Sequence, residues 1–496
     1  MQYKKNFFCD KVTAFKYCFW RFDKSMTPEE FRLYGHQIID WIANYRQTLA
    51  DKAVMSTVKP GDIRSRFPSL PPNEGESFQK VLNDLEQIIL PGITHWNHPS
   101  FFAYFPSNAT LVSVLGELLS AGLGVQGMSW QTSPAATELE EVVMNWLREM
   151  IGLSKNFVGV IQDTASTATL VALLCARERA TNYGQNHGGL QAEESPLVVY
   201  TSEQSHSSVT KAALLAGFGK DNMRLIETNS ELALRTDLLE KAIKDDIARG
   251  LKPCAIVGTV GTTNSTAVDP IEAIAALAKK YNLWLHIDAA MAGTAMILPE
   301  CRYMWQGVEQ ADSMLFNPHK WLGVAFDLTA YFVQDTQHLI RVMSTNPTYL
   351  QTNVDGEVNN FRDWGIQLGR RFRALKLWFL IHEQGVLGLQ ARIRRDLENT
   401  LWLKEQVLST VGWEIVAPVL FQTICLRHIP NSDMSEASLA EHNLAWVKAI
   451  NESGKAYLTP SIVKGKQIVR VSIGTEATTK TEVQELWKLM QEMVNH

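Results

Sequence analysis

Apolar positions first recur at helical spacing at Phe31, Ile38, Ile39, Trp41, Ile42 and Tyr45. Just ahead of them, Thr27-Pro28-Glu29-Glu30 reads as a threonine N-cap, proline at N1 and glutamate at N3, a capping box with a proline start. Pro and Gly then cluster at Lys59-Pro60-Gly61 and from Pro68 to Gly75, which predicts chain travelling over a surface. A second helix is predicted from about Ser77 to Leu90, stopped by Pro91-Gly92. The next segment, Thr94 to Pro106, is aromatic instead of periodic, with Trp96, Phe101, Phe102, Tyr104 and Phe105. Domain packing and a pocket wall both fit that pattern.

From about residue 110, short apolar runs alternate with helical periodicity. Strands are predicted at Val158–Ile161, Leu197–Tyr200, Ala255–Val260, Leu283–Ile287, Ser313–Phe316 and Leu328–Val333, with helices such as Thr167–Arg179 and Ile271–Lys280 between them. That alternation predicts a largely parallel α/β sheet. A long helix, Arg371–Glu383, leads into a smaller α+β tail, where Ile424–Arg427 and Ile468–Ile473 read as strands.

The 496 residues exceed one ordinary core, so several domains are expected. With 46% hydrophobic and 20% charged residues and a net charge of −5, the chain reads as globular, with neither nucleic acid nor an anionic membrane as partner. No apolar run approaches the roughly 18 residues of a membrane span. Cys9, Cys18, Cys175, Cys254, Cys301 and Cys425 are scattered, without C-x-x-C pairs or metal-ligand spacing. Reduced thiols, a cytoplasmic setting and no metal are expected. Residues 1–26 are rich in aromatics and lysine, but Asp10, Lys11 and Lys16 interrupt any apolar core. A loosely held extension, or a true start at Met26, is expected there instead of a secretory signal.

Chemistry-bearing residues follow several of the strands. Lys320, in Asn317-Pro318-His319-Lys320-Trp321, stands just past Ser313–Phe316, where α/β folds put ligand chemistry. Apolar flanks can desolvate its amine and make it nucleophilic. Asp288 ends the apolar run Leu283–Ile287 and precedes Ala289-Ala290. A buried carboxylate needs a partner; a protonated pyridine nitrogen is one, a helix cap or salt bridge another. Gln162-Asp163-Thr164-Ala165-Ser166 follows a strand and opens a helix, which suits either phosphate binding or plain N-capping. His206 and the turn Gly258 to Thr263 likewise follow strands. In that order these parts suffice to hold pyridoxal phosphate.

The whole pattern resembles the group II pyridoxal-phosphate decarboxylases, most closely the aromatic L-amino-acid decarboxylases. The resemblance runs from about Thr27 to the C-terminus. Segments 91–96 and 101–106, Trp130, Ser133-Pro134, Thr137 to Glu140, Asn317 to Trp321, Asn346 to Leu350 and Gly369 to Lys376 carry it. It implies a fold-type I transferase-like α/β architecture with a mixed, mostly parallel seven-stranded sheet. It also implies an N-terminal helical segment at 27–110 that packs on a partner subunit. A large cofactor domain at 111–377 and a small α+β domain at 378–496 complete the expected organisation.

By the same resemblance, Lys320 is the Schiff-base lysine, Asp288 the pyridinium partner and His206 the histidine stacked on the ring. Ala165, Ser166, Thr263, Ala290 and His319 are cofactor-side residues. Tyr349 is the tyrosine of a catalytic loop. Trp96, Tyr104, Pro106, Ser107, Phe326 and Gly369 are substrate-side residues. The family forms homodimers with the active site at the interface. Some residues depart from the pattern: Asp163 stands where relatives have glycine, Met291 where they have tyrosine. Gln126 and Met128 replace an isoleucine and a phenylalanine of the animal enzyme's substrate pocket. Plant relatives with glycine at the position of Gly369 prefer indolic substrates and those with serine phenolic ones. Tryptophan or 5-hydroxytryptophan therefore ranks ahead of phenylalanine, tyrosine or dihydroxyphenylalanine. Related aldehyde synthases often replace the tyrosine or the histidine, and both are present here. A histidine or acidic amino-acid decarboxylase and a non-catalytic relative are the remaining alternatives.

Overall fold

The computed structural model describes residues 25–345, 347–351 and 353–494. The extension expected at residues 1–26 lies outside them up to residue 24. Thr27 caps α1 (Pro28–Gln47) as its sequence requires. Its hydroxyl accepts from the Glu30 N–H at 3.1 Å, and the Glu30 carboxylate accepts from the Thr27 N–H at 2.9 Å. The second helix is shorter than its apolar pattern. α2 (Phe78–Asp84) passes into a wide turn at Leu85–Ile89 and a tight one at Leu90–Gly92, because Pro91 has no N–H with which to continue the ladder. These elements belong to the first of two compact units, the residues up to Lys52 with Thr57–Ile93. Within it Tyr34 stacks on Phe78 at 4.2 Å and the Trp41 indole donates to Glu86.

The second unit comprises Ala53–Ser56 and everything from Thr94 onward, so the grouping changes near residue 94 instead of the expected 110. The aromatic segment explains this. Phe101 and Phe102 are buried, and the Phe102 backbone bonds to Tyr457 and Ser472 of the C-terminal part.

The large sheet of this unit contains β1 (Val158–Gln162), β2 (Leu197–Ser202), β3 (Met223–Ile226), β4 (Lys252–Thr259), β5 (Trp284–Asp288), β6 (Ser313–Phe316) and β7 (Thr329–Val333). Their order is β1-β7-β6-β5-β4-β2-β3, and β7 runs against both its neighbours while the rest are parallel. This is the expected mixed seven-stranded sheet. Both faces are covered: Val198 and Tyr200 enter one core layer, Leu197 and Val199 the other. Burial on both faces is why these strands read as continuous apolar runs.

Helices pack on the sheet: α3 (Leu111–Leu123), α4 (Pro134–Met150), α5 (Ala165–Ala180), α6 (Ser207–Leu215) and α7 (Ile271–Tyr281). The predicted helix at 371–383 is the start of a longer one, α8 (Ala374–Ser409), which kinks at Gly385 (φ 62°). It carries the chain across the expected 377/378 division into a smaller antiparallel sheet. That sheet contains β8 (Trp413–Ile415), β9 (Thr423–His428), β10 (Thr459–Val463) and β11 (Lys466–Ser472), in the order β10-β11-β9-β8. Trp446, Ile450, Val483 and Leu486 of two further helices complete its core. Among the described residues no helix is long and apolar enough to cross a membrane. Cys175, Cys254, Cys301 and Cys425 are free and buried.

Candidate active site

The carboxyl ends of β1, β2, β4, β5 and β6 open on one cavity of about 260 Å³. Lys320 enters it from the turn Pro318–Leu322, which follows β6 and ends at Gly323 with φ 99°. The Lys320 carbonyl accepts from Asn108 Nδ2 at 3.2 Å, and the same amide donates to the Gly474 carbonyl at 2.7 Å. The amine lies 5.4 Å from the centre of the Phe105 ring. Burial lowers its pKa, the Asp288 carboxylate opposes that shift and Arg470 adds to it. The group is therefore more readily a neutral nucleophile than an exposed lysine.

Asp288 ends β5, is 3% exposed and lines the same cavity. Its Oδ1 accepts from the Ala290 N–H at 3.0 Å. Its carbonyl accepts from the Val260 N–H at 2.9 Å, tying the turn after β4 to the end of β5. Gly261 in that turn has φ 87°, and a Cβ there would lie 2.6 Å from the Ala292 methyl; glycine fits both conditions. The turn brings Thr263 to the cavity wall, and Thr259, also on the wall, has a buried hydroxyl without a hydrogen-bond partner.

His206 caps α6. Its Nδ1 accepts from the Ser208 N–H at 3.1 Å and lies 2.7 Å from the Ser208 hydroxyl. Accepting at Nδ1 leaves the proton of the neutral ring on Nε2. Burial lowers the His206 pKa; Asp288 opposes this and Lys320 reinforces it.

Thr164, Ala165 and Ser166 line the cavity where α5 begins. The first-turn N–H groups and the helix dipole favour an anion there. Asp163 is not aimed freely at that anion site: its Oδ1 accepts from the Thr164 N–H at 2.6 Å and its Oδ2 from Gln367 Nε2 at 3.2 Å. The cavity thus offers a phosphate cradle, a histidine, a carboxylate, an unpaired hydroxyl and a desolvated lysine. These residues fit pyridoxal phosphate.

Ala290 lines this cavity too, and so does Met291. His319 is not among its described lining residues. Its Nδ1 accepts from the Leu328 N–H at 3.0 Å, its ring meets Phe326 edge-on, and burial with Lys320 beside it pushes its pKa down to about 3. The substrate-side residues are not brought into the cavity either. Trp96 stacks on Tyr104 at 5.6 Å, and both, with Phe326 and Gly369, are exposed on the single chain. Pro106 is buried against Gly474, and Ser107 is half-buried. The Tyr349 backbone lies in the short turn Thr348–Leu350, while its side chain lies outside the described residues. Phe105, Thr164, Ser208, Thr259, Met291 and Asn317 line the cavity without having been assigned a role from sequence. Phe105 belongs to the aromatic segment for which a pocket wall was one reading; for the others the sequence signal was adjacency to the strand ends.

The family profile described as the pyridoxal-dependent decarboxylase conserved domain matches residues 60–429. Phenylacetaldehyde synthase of Arabidopsis thaliana is 41% identical, over 95% of this chain and 97% of the relative. Tryptophan decarboxylase 2 of Oryza sativa subsp. japonica is 39% identical, over 95% of each chain. The crystal structure of Oryza sativa TDC with PLP and tryptamine superposes with a TM-score of 0.92 at 34% identity, covering 95% of this chain and 99% of that one. The chain belongs to the pyridoxal-dependent decarboxylase family, among the aromatic amino-acid decarboxylases and their relatives.

Proposed function

We propose that this protein decarboxylates an aromatic L-amino acid to the arylalkylamine and CO₂. The observation that carries the reading is the convergence of Lys320, Asp288, His206 and the start of α5 on one cavity. Bound pyridoxal phosphate supplies the electron sink for the pair released when CO₂ leaves. Lys320 provides the amine that links the cofactor to the chain. Asp288 would hold a proton at the pyridine nitrogen, His206 would lie against the ring, and Ala165 and Ser166 would bind phosphate through the helix start. Tyr349 delivers a proton to the substrate Cα once water is excluded.

The substrate side is composite in this reading. Trp96, Tyr104, Pro106, Ser107, Phe326 and Gly369 contact the amino acid in a site that a second copy of the chain completes, so the enzyme acts as a homodimer. The exposure of Trp96, Tyr104 and Phe326 on one chain supports this. The large and small domains divide near residue 377, and the protein works in the cytoplasm. Among substrates, tryptophan and 5-hydroxytryptophan rank first. The nearest atom to a Cβ built on Gly369 is Gln126 Nε2 at 3.9 Å, so nothing on the single chain crowds this position.

The similarity to phenylacetaldehyde synthase favours a second reading, oxygen-dependent conversion to an aldehyde. Retention of both Tyr349 and His206 ranks it below amine formation. Incubation with each aromatic amino acid, with amine, CO₂ and hydrogen peroxide quantified, separates the two. Equal amine and CO₂ without peroxide supports decarboxylation. Aldehyde with peroxide supports the second reading, and no turnover of any aromatic amino acid removes both.

A further inference from the structure

Three consecutive residues, the last two of β1 and the one just past it, anchor the segment that carries Gly369. The Ile161 carbonyl accepts from Arg370 Nη2 at 2.7 Å, and that nitrogen also donates to Glu140 at 2.7 Å. Gln162 Nε2 donates to the Trp364 carbonyl at 2.9 Å and fills the space where a Gly365 Cβ would lie, 2.8 Å away. Asp163 Oδ2 accepts from Gln367 Nε2 at 3.2 Å. The Ile161 and Gln162 anchors involve buried β1 residues; the Asp163 anchor is more open and joins a carboxylate to a neutral amide.

That carboxylate occupies a demanding position. The next residues along the chain, Thr164, Ala165 and Ser166, line the phosphate end of the cavity. A carboxylate free to rotate there repels a phosphate dianion. In the structure the Thr164 N–H engages one oxygen and Gln367 the other.

We propose that Asp163 and Gln367 form a latch in which Gln367 holds the carboxylate off the phosphate cradle and Asp163 in return positions segment 364–370. Asp163 is then a positioning residue that links cofactor affinity to the substrate-side segment. The inference rests on the pyridoxal-phosphate reading of the cavity.

The test titrates pyridoxal phosphate into apoenzyme of the parent, Gln367→Ala, Asp163→Gly and the double variant, followed by tryptophan fluorescence. Gln367→Ala weakens binding by about fivefold, the scale of one lost hydrogen bond, because the carboxylate is released toward the phosphate. Asp163→Gly binds at least as tightly as the parent. The double variant behaves like Asp163→Gly, since no carboxylate remains to be released. Hydrogen exchange of holoenzyme peptides covering 364–370 speeds up in either single variant and no further in the double one. Unchanged affinity in Gln367→Ala, equal weakening in the double variant, or exchange at 364–370 that ignores both substitutions overturns the latch. A parent apoenzyme that takes up no pyridoxal phosphate overturns the cavity reading, and the latch with it.

Discussion

The Trp321 indole N–H donates to the buried Asp396 carboxylate at 2.9 Å, so α8 fixes the residue that follows Lys320. Arg392, one helical turn earlier, donates to the Trp321 and Leu322 carbonyls at 2.8 and 2.5 Å. Trp321→Phe keeps an aromatic side chain but removes the indole donor together with part of its buried volume. Asp396 Oδ2 then loses a partner in a buried setting, a cost of about 1–3 kcal/mol. Urea denaturation of the apoenzyme should show a lower midpoint with an unchanged slope. Parental stability would mean that the bond contributes nothing net.

The Lys320 amine gives a pH signature. Burial lowers its pKa, with Asp288 opposing and Arg470 adding. Between the folded value and the ordinary lysine value, the unfolded chain holds a proton that the folded chain does not. Apoenzyme stability from this group therefore rises with pH through that window. Lys320→Met should lose the contribution. Denaturation curves of the two apoproteins across the alkaline range should diverge in slope against pH; parallel lines would contradict a buried amine.

Much of this site was legible in sequence because strands buried on both faces read as unbroken apolar runs. Lys320, Asp288, His206 and Ser166 all follow such runs, and each meets the same cavity. β3 was not legible: it is a short edge strand whose Met223, Arg224 and Leu225 are not buried. His319 shows a different limit. The resemblance implied a cofactor-side role, but within the turn its ring meets Phe326 and its Nδ1 is taken by the Leu328 N–H. Phe105 reaches the wall from a segment far away in sequence, and no periodicity foretells such a contact. The Thr27 capping box, a purely local device, appeared as read.

Substrate choice is testable at Gly369. A Cβ there would meet Gln126 Nε2 only at 3.9 Å, so Gly369→Ser folds without a clash. The variant should lose turnover of tryptophan relative to tyrosine, on the order of tenfold in the ratio of kcat/KM, within the usual range for a pocket-size change. An unchanged ratio would remove the basis for ranking indoles first.

Tyr349 should decide which reaction follows loss of CO₂. Tyr349→Phe removes only the hydroxyl. If that hydroxyl protonates Cα, dioxygen gains time to react, and product shifts from amine toward aldehyde, ammonia and hydrogen peroxide. Peroxide assay with amine quantification checks this. Parental amine formation without peroxide would make His206 the next proton donor to test.

The central claim is that the cavity at the strand ends holds the cofactor on Lys320. Reduction of the pyridoxal-phosphate-loaded protein with borohydride makes that link permanent, and peptide mapping locates it. The account predicts the pyridoxyl group on Lys320, and none at any site in Lys320→Ala. A pyridoxyl group on another lysine of the parent protein would contradict it.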